Sequence, residues 1–144
     1  MRILAVLTVA LLAGCAAHPI AYSSITPATG DASYDCIVRR VNELGYTVTS
    51  TNREEHFIAA TREFHKSAIQ AFTQMRYYDR LTVSIVDADS ASRTIRITLA
   101  GTVERDNGFA GSTSRSKPPS DMAQADAVAI LKACAVVTKD GGVR

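Results

Sequence analysis

The first clear pattern of apolar positions in the chain has the spacing of an amphipathic helix. Apolar residues recur every three or four positions, so they fall on one face of a helix. They are Tyr34, Ile37, Val41 and Leu44. Ser33 or Asp31 is a candidate N-cap, and Gly45 follows at a position where helices commonly end. The pattern predicts a first helix over residues 33–44.

A second helix is predicted near the end of the chain. Pro118, Pro119 and Ser120 form a start signal, and Asp121 places an acidic residue in the first turn. Small and apolar residues then recur at helical spacing, and we expect them on the buried side. They are Ala123, Ala127, Ile130, Leu131 and Cys134. We expect residues 138–144 to be frayed.

Four segments between the helices alternate apolar and polar residues with the period of a strand. Residues 46–50 and 57–62 predict one hairpin around a polar turn. The segments around Leu81–Ile85 and Ile95–Val103 predict another, joined by turn residues at 87–92. Residues 63–79 are interpreted as a long connection with a possible helical turn, and residues 105–119 as a loop.

This order predicts an α+β domain over residues 33–137, with an antiparallel four-stranded sheet and two antiparallel helices on its apolar face. The element order is α-β-β-β-β-α. Polar residues fill the other face, which is either plain surface or a binding platform. They are Thr47, Thr49, Thr82, Ser84, Arg96, Thr98 and Thr102.

The first fifteen residues have the parts of an export signal. Arg2 gives a charged start, residues 3–12 are apolar, and small residues precede Cys15. The apolar run is shorter than the ~20 residues that a helix needs to cross a bilayer. The segment after it, residues 16–32, is rich in Ala, Ser, Thr and Pro and is interpreted as a flexible tether that could extend over ~55 Å.

Leu12, Ala13, Gly14 and Cys15 resemble the lipobox of bacterial lipoproteins. The resemblance covers residues 1–15 and implies cleavage after Gly14, a diacylglyceryl group on the Cys15 thiol, and acylation of the new amino terminus. The alternative is a plain signal peptide in which Gly14 and Cys15 occur together by chance. Ala16, rather than an aspartate, follows Cys15, so the outer membrane is the expected destination if the cell has one. The mature chain then starts with a lipidated tether, residues 15–32.

Cys36 and Cys134 remain as an even pair in a chain expected to be exported to an oxidising compartment. The predicted topology places both cysteines at the same end of the helix pair. We therefore predict a disulfide, and two buried free thiols are the alternative.

Composition and spacing indicate no catalytic, cofactor or metal site. The net charge is +2, which does not suggest a nucleic-acid partner. His18, His56 and His65 do not have the spacing of metal ligands, and no Gly-x-Ser-x-Gly elbow or phosphate-binding glycine loop occurs. The acidic residues beside His56 and His65 could bind a cation weakly, but solvated surface is the simpler interpretation.

Arg76, Tyr77 and Tyr78 are the candidate partner contact, because arginine and aromatic residues are enriched at interface centres. We predict a membrane-anchored, non-enzymatic accessory or binding module of the cell envelope, whose partner is another envelope protein bound through an edge strand. The alternatives are a small envelope hydrolase or lyase, and a structural or stress-related lipoprotein. The sequence does not indicate an oligomeric state.

Overall fold

The structure is a computed structural model of the chain, and it describes residues 17–64 and 73–135. These residues form an α+β fold with two helices, as predicted. The elements are β1 (Ile20–Thr26), α1 (Gly30–Glu43), β2 (Thr47–Asn52), β3 (Phe57–Phe64), β4 (Met75–Asp87), β5 (Arg93–Asp106), β6 (Ser112–Lys117) and α2 (Asp121–Cys134), with a short 3-10 helix (Gly108–Ala110) between β5 and β6.

The described strands form one antiparallel sheet of six strands, so the prediction of four was wrong. The order is β1-β5-β4-β3-β2, and β6 also pairs with β5. β1 lies along the first half of β5, with Ile20 opposite Leu99. β6 lies along the second half, with Lys117 opposite Gly101. Two separate strands therefore share one edge of β5.

β1 lies within the segment that was interpreted as a tether. Its side chains alternate between exposed and partly buried positions, but only some of the inward residues are apolar, so the strand pattern is weak in the sequence. Tyr22 faces the helices, and its hydroxyl donates a hydrogen bond to Gln124 Oε1 at 3.2 Å. The ordered domain therefore starts no later than Ile20, and not at residue 33.

Two other connections are also partly strand. β3 continues to Phe64 and β4 begins at Met75, so both ends of the predicted connection 63–79 are strand. Residues 65–72, which form most of the remainder of that connection and of its predicted helical turn, lie outside the described residues. β6 occupies part of the predicted loop 105–119. Its sequence, STSRSK, contains no apolar residue, and most of it is exposed. The backbone of β5 fixes this strand by pairing with it, since the sequence of β6 offers no apolar side chains to bury.

One hydrophobic core joins both helices to the sheet. It contains residues from α1, α2 and the alternate positions of β3, β4 and β5 that share one face. Its fully buried aliphatic members of largest volume are Ile37, Val41, Ile58, Leu81, Val83, Ile95, Ile97, Leu99 and Ile130. The opposite positions of the same strands are outside this cluster, and we call their side the open face.

The predicted N-cap of the first helix was wrong, and that of the second helix is confirmed. α1 begins at Gly30, and Thr29, rather than Ser33 or Asp31, is its N-cap, with Thr29 Oγ1 accepting from the Ala32 amide at 3.3 Å. A Cβ at position 30 would lie 2.6 Å from His56 Nε2, so any other residue there would displace the His56 ring. In α2, Ser120 is the N-cap as predicted, and its hydroxyl accepts from the Ala123 amide at 3.1 Å.

Cys36 and Cys134 are paired in a disulfide, with 5.7 Å between their Cα atoms. Tyr46, just after α1, contacts Asp126 in the first half of α2, whereas Cys36, in the first half of α1, is bonded to the last residue of α2. This opposite order of contacts is the one expected for antiparallel helices.

Within residues 17–64 and 73–135, no helix is long and apolar enough to cross a membrane.

Replacing both Cys36 and Cys134 by alanine should lower the free energy of unfolding by about 2–5 kcal/mol. The reason is that the crosslink closes a loop of 98 positions that is otherwise free in the unfolded chain. Urea denaturation of the oxidised wild type, the reduced wild type and the variant measures the effect. The reduced wild type and the variant should unfold at the same urea concentration, below that of the oxidised wild type. Midpoints equal to that of the oxidised wild type would contradict this role of the disulfide.

Candidate functional site

A buried carboxylate fixes the point where α2 begins. Asp79 is fully buried on the helix side of β4. Its Oδ1 accepts a hydrogen bond from the Ser120 amide at 2.9 Å, and its Oδ2 accepts one from the Ser120 hydroxyl at 2.5 Å. Burying a charged group is costly unless it is hydrogen bonded, and these bonds satisfy that requirement. Asp79 therefore has a structural role that the sequence interpretation of residues 63–79 missed.

A second polar group, the largely covered side chain of Arg62, connects the end of α1 to α2. Arg62 Nη2 lies 2.7 Å from Asp126 Oδ2, an ion-pair distance without the alignment of a hydrogen bond, and Nη1 donates to the Leu44 carbonyl at 3.0 Å. The guanidinium carbon is 4.3 Å from the centre of the Tyr46 ring. Burial is the main cause that raises the pKa of Tyr46. The phenol keeps its proton and donates to Asp126 Oδ2 at 3.3 Å.

The chain crosses β5 at Gly101 on its way from β6 to α2. A Cβ at Gly101 would lie 2.8 Å from the Lys117 carbonyl oxygen, so only glycine allows this close approach. β4, β5 and β6 continue beyond the crossing, and their side chains there are outside the hydrophobic core. The helix side of this extension is the first candidate site.

This site, which we call the groove, has a volume of about 390 Å³. Its lining residues are Met75, Tyr77, Val103, Arg105, Asn107, Thr113 and Arg115. Pairing across the strands explains the set, because Tyr77 is opposite Val103 and Val103 is opposite Arg115, while Arg105 pairs with both Met75 and Thr113. Residues that pair directly point to the same side of a sheet.

The groove combines apolar and cationic side chains. The Tyr77 ring is 5.9 Å from the Phe64 ring, Lys117 Nζ is 4.5 Å from the Tyr77 centroid, and the Tyr77 hydroxyl donates to Met75 Sδ at 3.8 Å. Arg105 and Arg115 are exposed and form no ion pair with another described residue. Among the residues that the structure describes, the lining contains no carboxylate, imidazole or thiol. This chemistry suits binding of an anionic group beside an apolar one.

The open face carries the second candidate site. Thr61, Tyr78, Arg80, Thr102 and Glu104 surround a shallow cavity of about 240 Å³. The predicted polar residues Thr47, Thr82, Ser84, Arg96, Thr98 and Thr102 lie on this face, as their strand pairing shows. A bulge between Val48 and Ser50 changes the alternation at Thr49, whose hydroxyl donates instead to the Ala59 carbonyl at 3.1 Å.

The predicted contact Arg76, Tyr77 and Tyr78 is divided between the two faces. Tyr77 lies in the groove, whereas Arg76 and Tyr78 lie on the open face. Interaction with the Tyr78 side chain, with smaller contributions from Glu63 and Asp106, raises the pKa of Arg76. The structure therefore brings together two of the three residues and separates the third, because β4 is regular strand through this segment.

The two edges of the sheet differ in how open they are to another strand. Within the part of the chain that the structure describes, β1 and β6 pair only with β5, and β2 pairs only with β3. β2 has its bulge, and β6 carries Arg115 and Lys117, both of which are common protections of an edge. β1 has no charged residue, no proline and no bulge, and its Ile25 is 66% exposed. β1 is the unprotected edge.

The β2–β3 turn uses its ionisable residues for contacts with α1. Arg53 donates to both carboxylate oxygens of Asp35, at 2.7 and 3.0 Å, and this interaction lowers the pKa of Asp35. His56 has a positive φ of 48°, and its Nε2 lies 3.8 Å from Asp31 Oδ1. The Glu54 amide donates to Asn52 Oδ1. These contacts explain the polar residues of the turn structurally.

The histidines and the candidate lipidation residues give less information. His18 is exposed, and no group of three metal-ligating side chains occurs among the described residues. His56 lies near Ile85, at the opposite end of the sheet from the groove. Gly14, Cys15, His65 and the tail 138–144 lie outside the described residues.

Comparison with known proteins finds no matching family model and no similar curated sequence.

Proposed function

We propose that this chain is a lipid-anchored lipoprotein of the bacterial cell envelope that acts as a non-enzymatic binding module. Its partner is another envelope protein, and the contact is a strand added along β1. In a cell with two membranes, the protein is held on the periplasmic face of the outer membrane. The observation that carries the proposal is the unprotected edge of β1, five positions after the candidate lipidation site Cys15.

The unprotected edge supports strand addition for a physical reason. An edge strand presents unpaired N–H and C=O groups, and a partner strand satisfies them with main-chain hydrogen bonds. β1 is seven residues long and pairs without interruption from Ile20 to Thr26, so its free side is regular. Ala21, Ser23 and Ile25 are exposed and would contact side chains of the added strand.

A binding role, rather than a catalytic one, is supported by where the reactive side chains lie. Asp79 and Asp126 are buried in hydrogen-bonded structural contacts, and His56 packs against the start of α1. The hydrolase or lyase alternative expects a pocket that gathers His56 or His65 with a carboxylate. His56 lies at the other end of the sheet from the groove, and the described residues that line the groove include no histidine and no carboxylate. Both cysteines of the described domain are used in the disulfide.

The anchor is tested by the variant Cys15→Ser. Wild-type protein in growing cells should incorporate an alkyne-labelled fatty acid and gain the mass of its acyl chains, because the thiol of Cys15 is the proposed site of attachment. The variant should incorporate no label and should leave the membrane fraction, since each buried CH₂ contributes ~0.8 kcal/mol to membrane binding. Unlabelled wild type, or equal labelling of both proteins, would refute the anchor.

Strand addition is tested by placing a charge on the open edge. A photo-crosslinking amino acid at Ser23 should capture one envelope protein in intact cells. Ile25→Lys should reduce this capture about tenfold or more, because a lysine on an edge strand disfavours pairing with another strand and replaces the apolar contact that Ile25 would make with it.

Met122→Lys is the matched control, because Met122 is also an exposed large hydrophobic residue, 57% accessible, but lies on α2. Capture from Ser23 should be unchanged in this variant. Captures that follow protein abundance, or that fall equally in both lysine variants, would count against strand addition.

A further inference from the structure

The short distance between the proposed anchor and the sheet restricts how the domain can sit on its membrane. This step rests on the proposed lipidation of Cys15. Ile20 is already paired with Leu99 in the sheet, and Cys15 lies five positions before it. Five extended residues reach about 17 Å. The tether interpretation of residues 16–32 allowed ~55 Å, so strand β1 removes most of the predicted freedom.

The β5–β6 hairpin extends further from Ile20 than the anchor can reach. From Leu99, opposite Ile20, β5 continues to Asp106 and then into the turn Gly108–Ala110. Seven further strand residues span about 24 Å before the turn begins. A domain standing upright on this hairpin would push its end below the level of the lipid anchor. A tilt of the domain reduces this overhang and lays one side of the hairpin along the membrane.

The two sides of the hairpin differ in charge. Val103, Arg105, Thr113, Arg115 and Lys117 share the groove side, as the pairing register shows. Glu104, Asp106 and three serines, at positions 112, 114 and 116, share the other side. The groove side is therefore cationic, and the opposite side is acidic and neutral. Bacterial membrane surfaces rich in anionic phospholipids attract the cationic groove side and do not attract the opposite side.

The tip of the hairpin presents an apolar residue. Phe109 is fully exposed. The turn holds it in place, because the Gly108 amide donates to Asp106 Oδ1 at 2.8 Å and the Asn107 amide donates to the Gly111 carbonyl at 2.9 Å. Gly108 and Gly111 have positive φ values of 62° and 80° that this tight turn requires. An exposed aromatic residue near basic side chains is typical of segments that insert into a membrane interface.

We infer that the groove side of the β5–β6 hairpin lies on the membrane that carries the anchor. Phe109 enters the interfacial region, and Arg105 and Arg115 contact the phosphate groups of anionic phospholipids. The arginine side chains can donate two hydrogen bonds to one phosphate, and the apolar floor of the groove at Tyr77 and Val103 adjoins the acyl region. The open face and β1 then remain accessible to a protein partner.

Fluorescence of single tryptophans tests this orientation, because the chain contains no tryptophan. The full lipidated protein is prepared with Phe109→Trp or with Val86→Trp. Val86 is the matched control, since it is 55% exposed and lies near the other end of β4. In vesicles containing phosphatidylglycerol and brominated lipid, we expect the emission of the Phe109→Trp protein to shift to shorter wavelength and to be quenched. The emission of the Val86→Trp protein should remain unquenched.

Charge variants test the lipid class. In the Phe109→Trp protein, Arg105→Ser with Arg115→Ser should reduce quenching to the level of the Val86→Trp protein. Arg76→Ser with Arg80→Ser, which removes the same charge from the open face, should leave quenching unchanged. Vesicles of phosphatidylcholine alone should give weaker quenching than anionic vesicles. Circular dichroism and the intact Cys36–Cys134 crosslink show that each variant is folded.

The outcomes separate this inference from the proposed function. Protein that carries its acyl mass, yet shows equal quenching or no quenching at both tryptophan positions, overturns the orientation while leaving the anchor in place. Quenching that persists in the Arg105 and Arg115 variant overturns the role of the anionic phosphates. Protein without acyl mass overturns the proposed anchor, and the orientation of the hairpin on the membrane is then refuted as well, because it rests on that anchor.

Discussion

The pairing of one long strand with two shorter ones is the constraint on which this structure depends. β5 pairs with β4 along nearly its whole length, while its other edge is divided between β1 and β6. The amino-terminal part of the chain therefore joins the sheet at the middle of one edge. The chain that leaves β6 must cross β5 at the same level, and Gly101 permits that crossing. The positions of the helices and the groove follow from this division.

The crossing divides the sheet into two halves with different physical character. In one half, α1 and α2 cover an aliphatic core, and the Cys36–Cys134 disulfide joins the helices. At the boundary, the Asp79 carboxylate holds the start of α2 through Ser120. Beyond it, the groove side of the strands is outside the core and carries arginine, tyrosine and methionine instead. Stability is thus concentrated in the covered half, and surface chemistry in the extended half.

The sequence was sufficient for elements whose own side chains are buried. Apolar spacing predicted both helices and the hairpins around Ile58 and Leu81, and Ser120 predicted the start of α2. The even number of remaining cysteines predicted the disulfide. β1 and β6 were not predicted, because pairing with β5 stabilises them more than their own apolar content does. Ile20, Tyr22 and the absence of glycine from residue 15 through residue 28 gave a weak signal for β1.

The candidate site was less predictable for the same reason. The role of Asp79 could not be read from its own segment, because its hydrogen-bond partner at the start of α2 is Ser120, 41 positions later. The division of Arg76, Tyr77 and Tyr78 between two faces follows from strand alternation, but only once β4 is known to begin at Met75. The groove needs Arg105 and Arg115 from β5 and β6 together, and no spacing rule within one segment could have paired them.

Both the open edge and the short distance to the proposed anchor depend on β1 being part of the sheet. Amide hydrogen exchange along residues 16–32 of the purified protein tests this. The account predicts slow exchange at those amides of Ile20–Thr26 that donate to β5, alternating with fast exchange at amides on the free side, and fast exchange before Ile20. Uniformly fast exchange from residue 16 through residue 28 would contradict it, because that is the behaviour of a flexible tether.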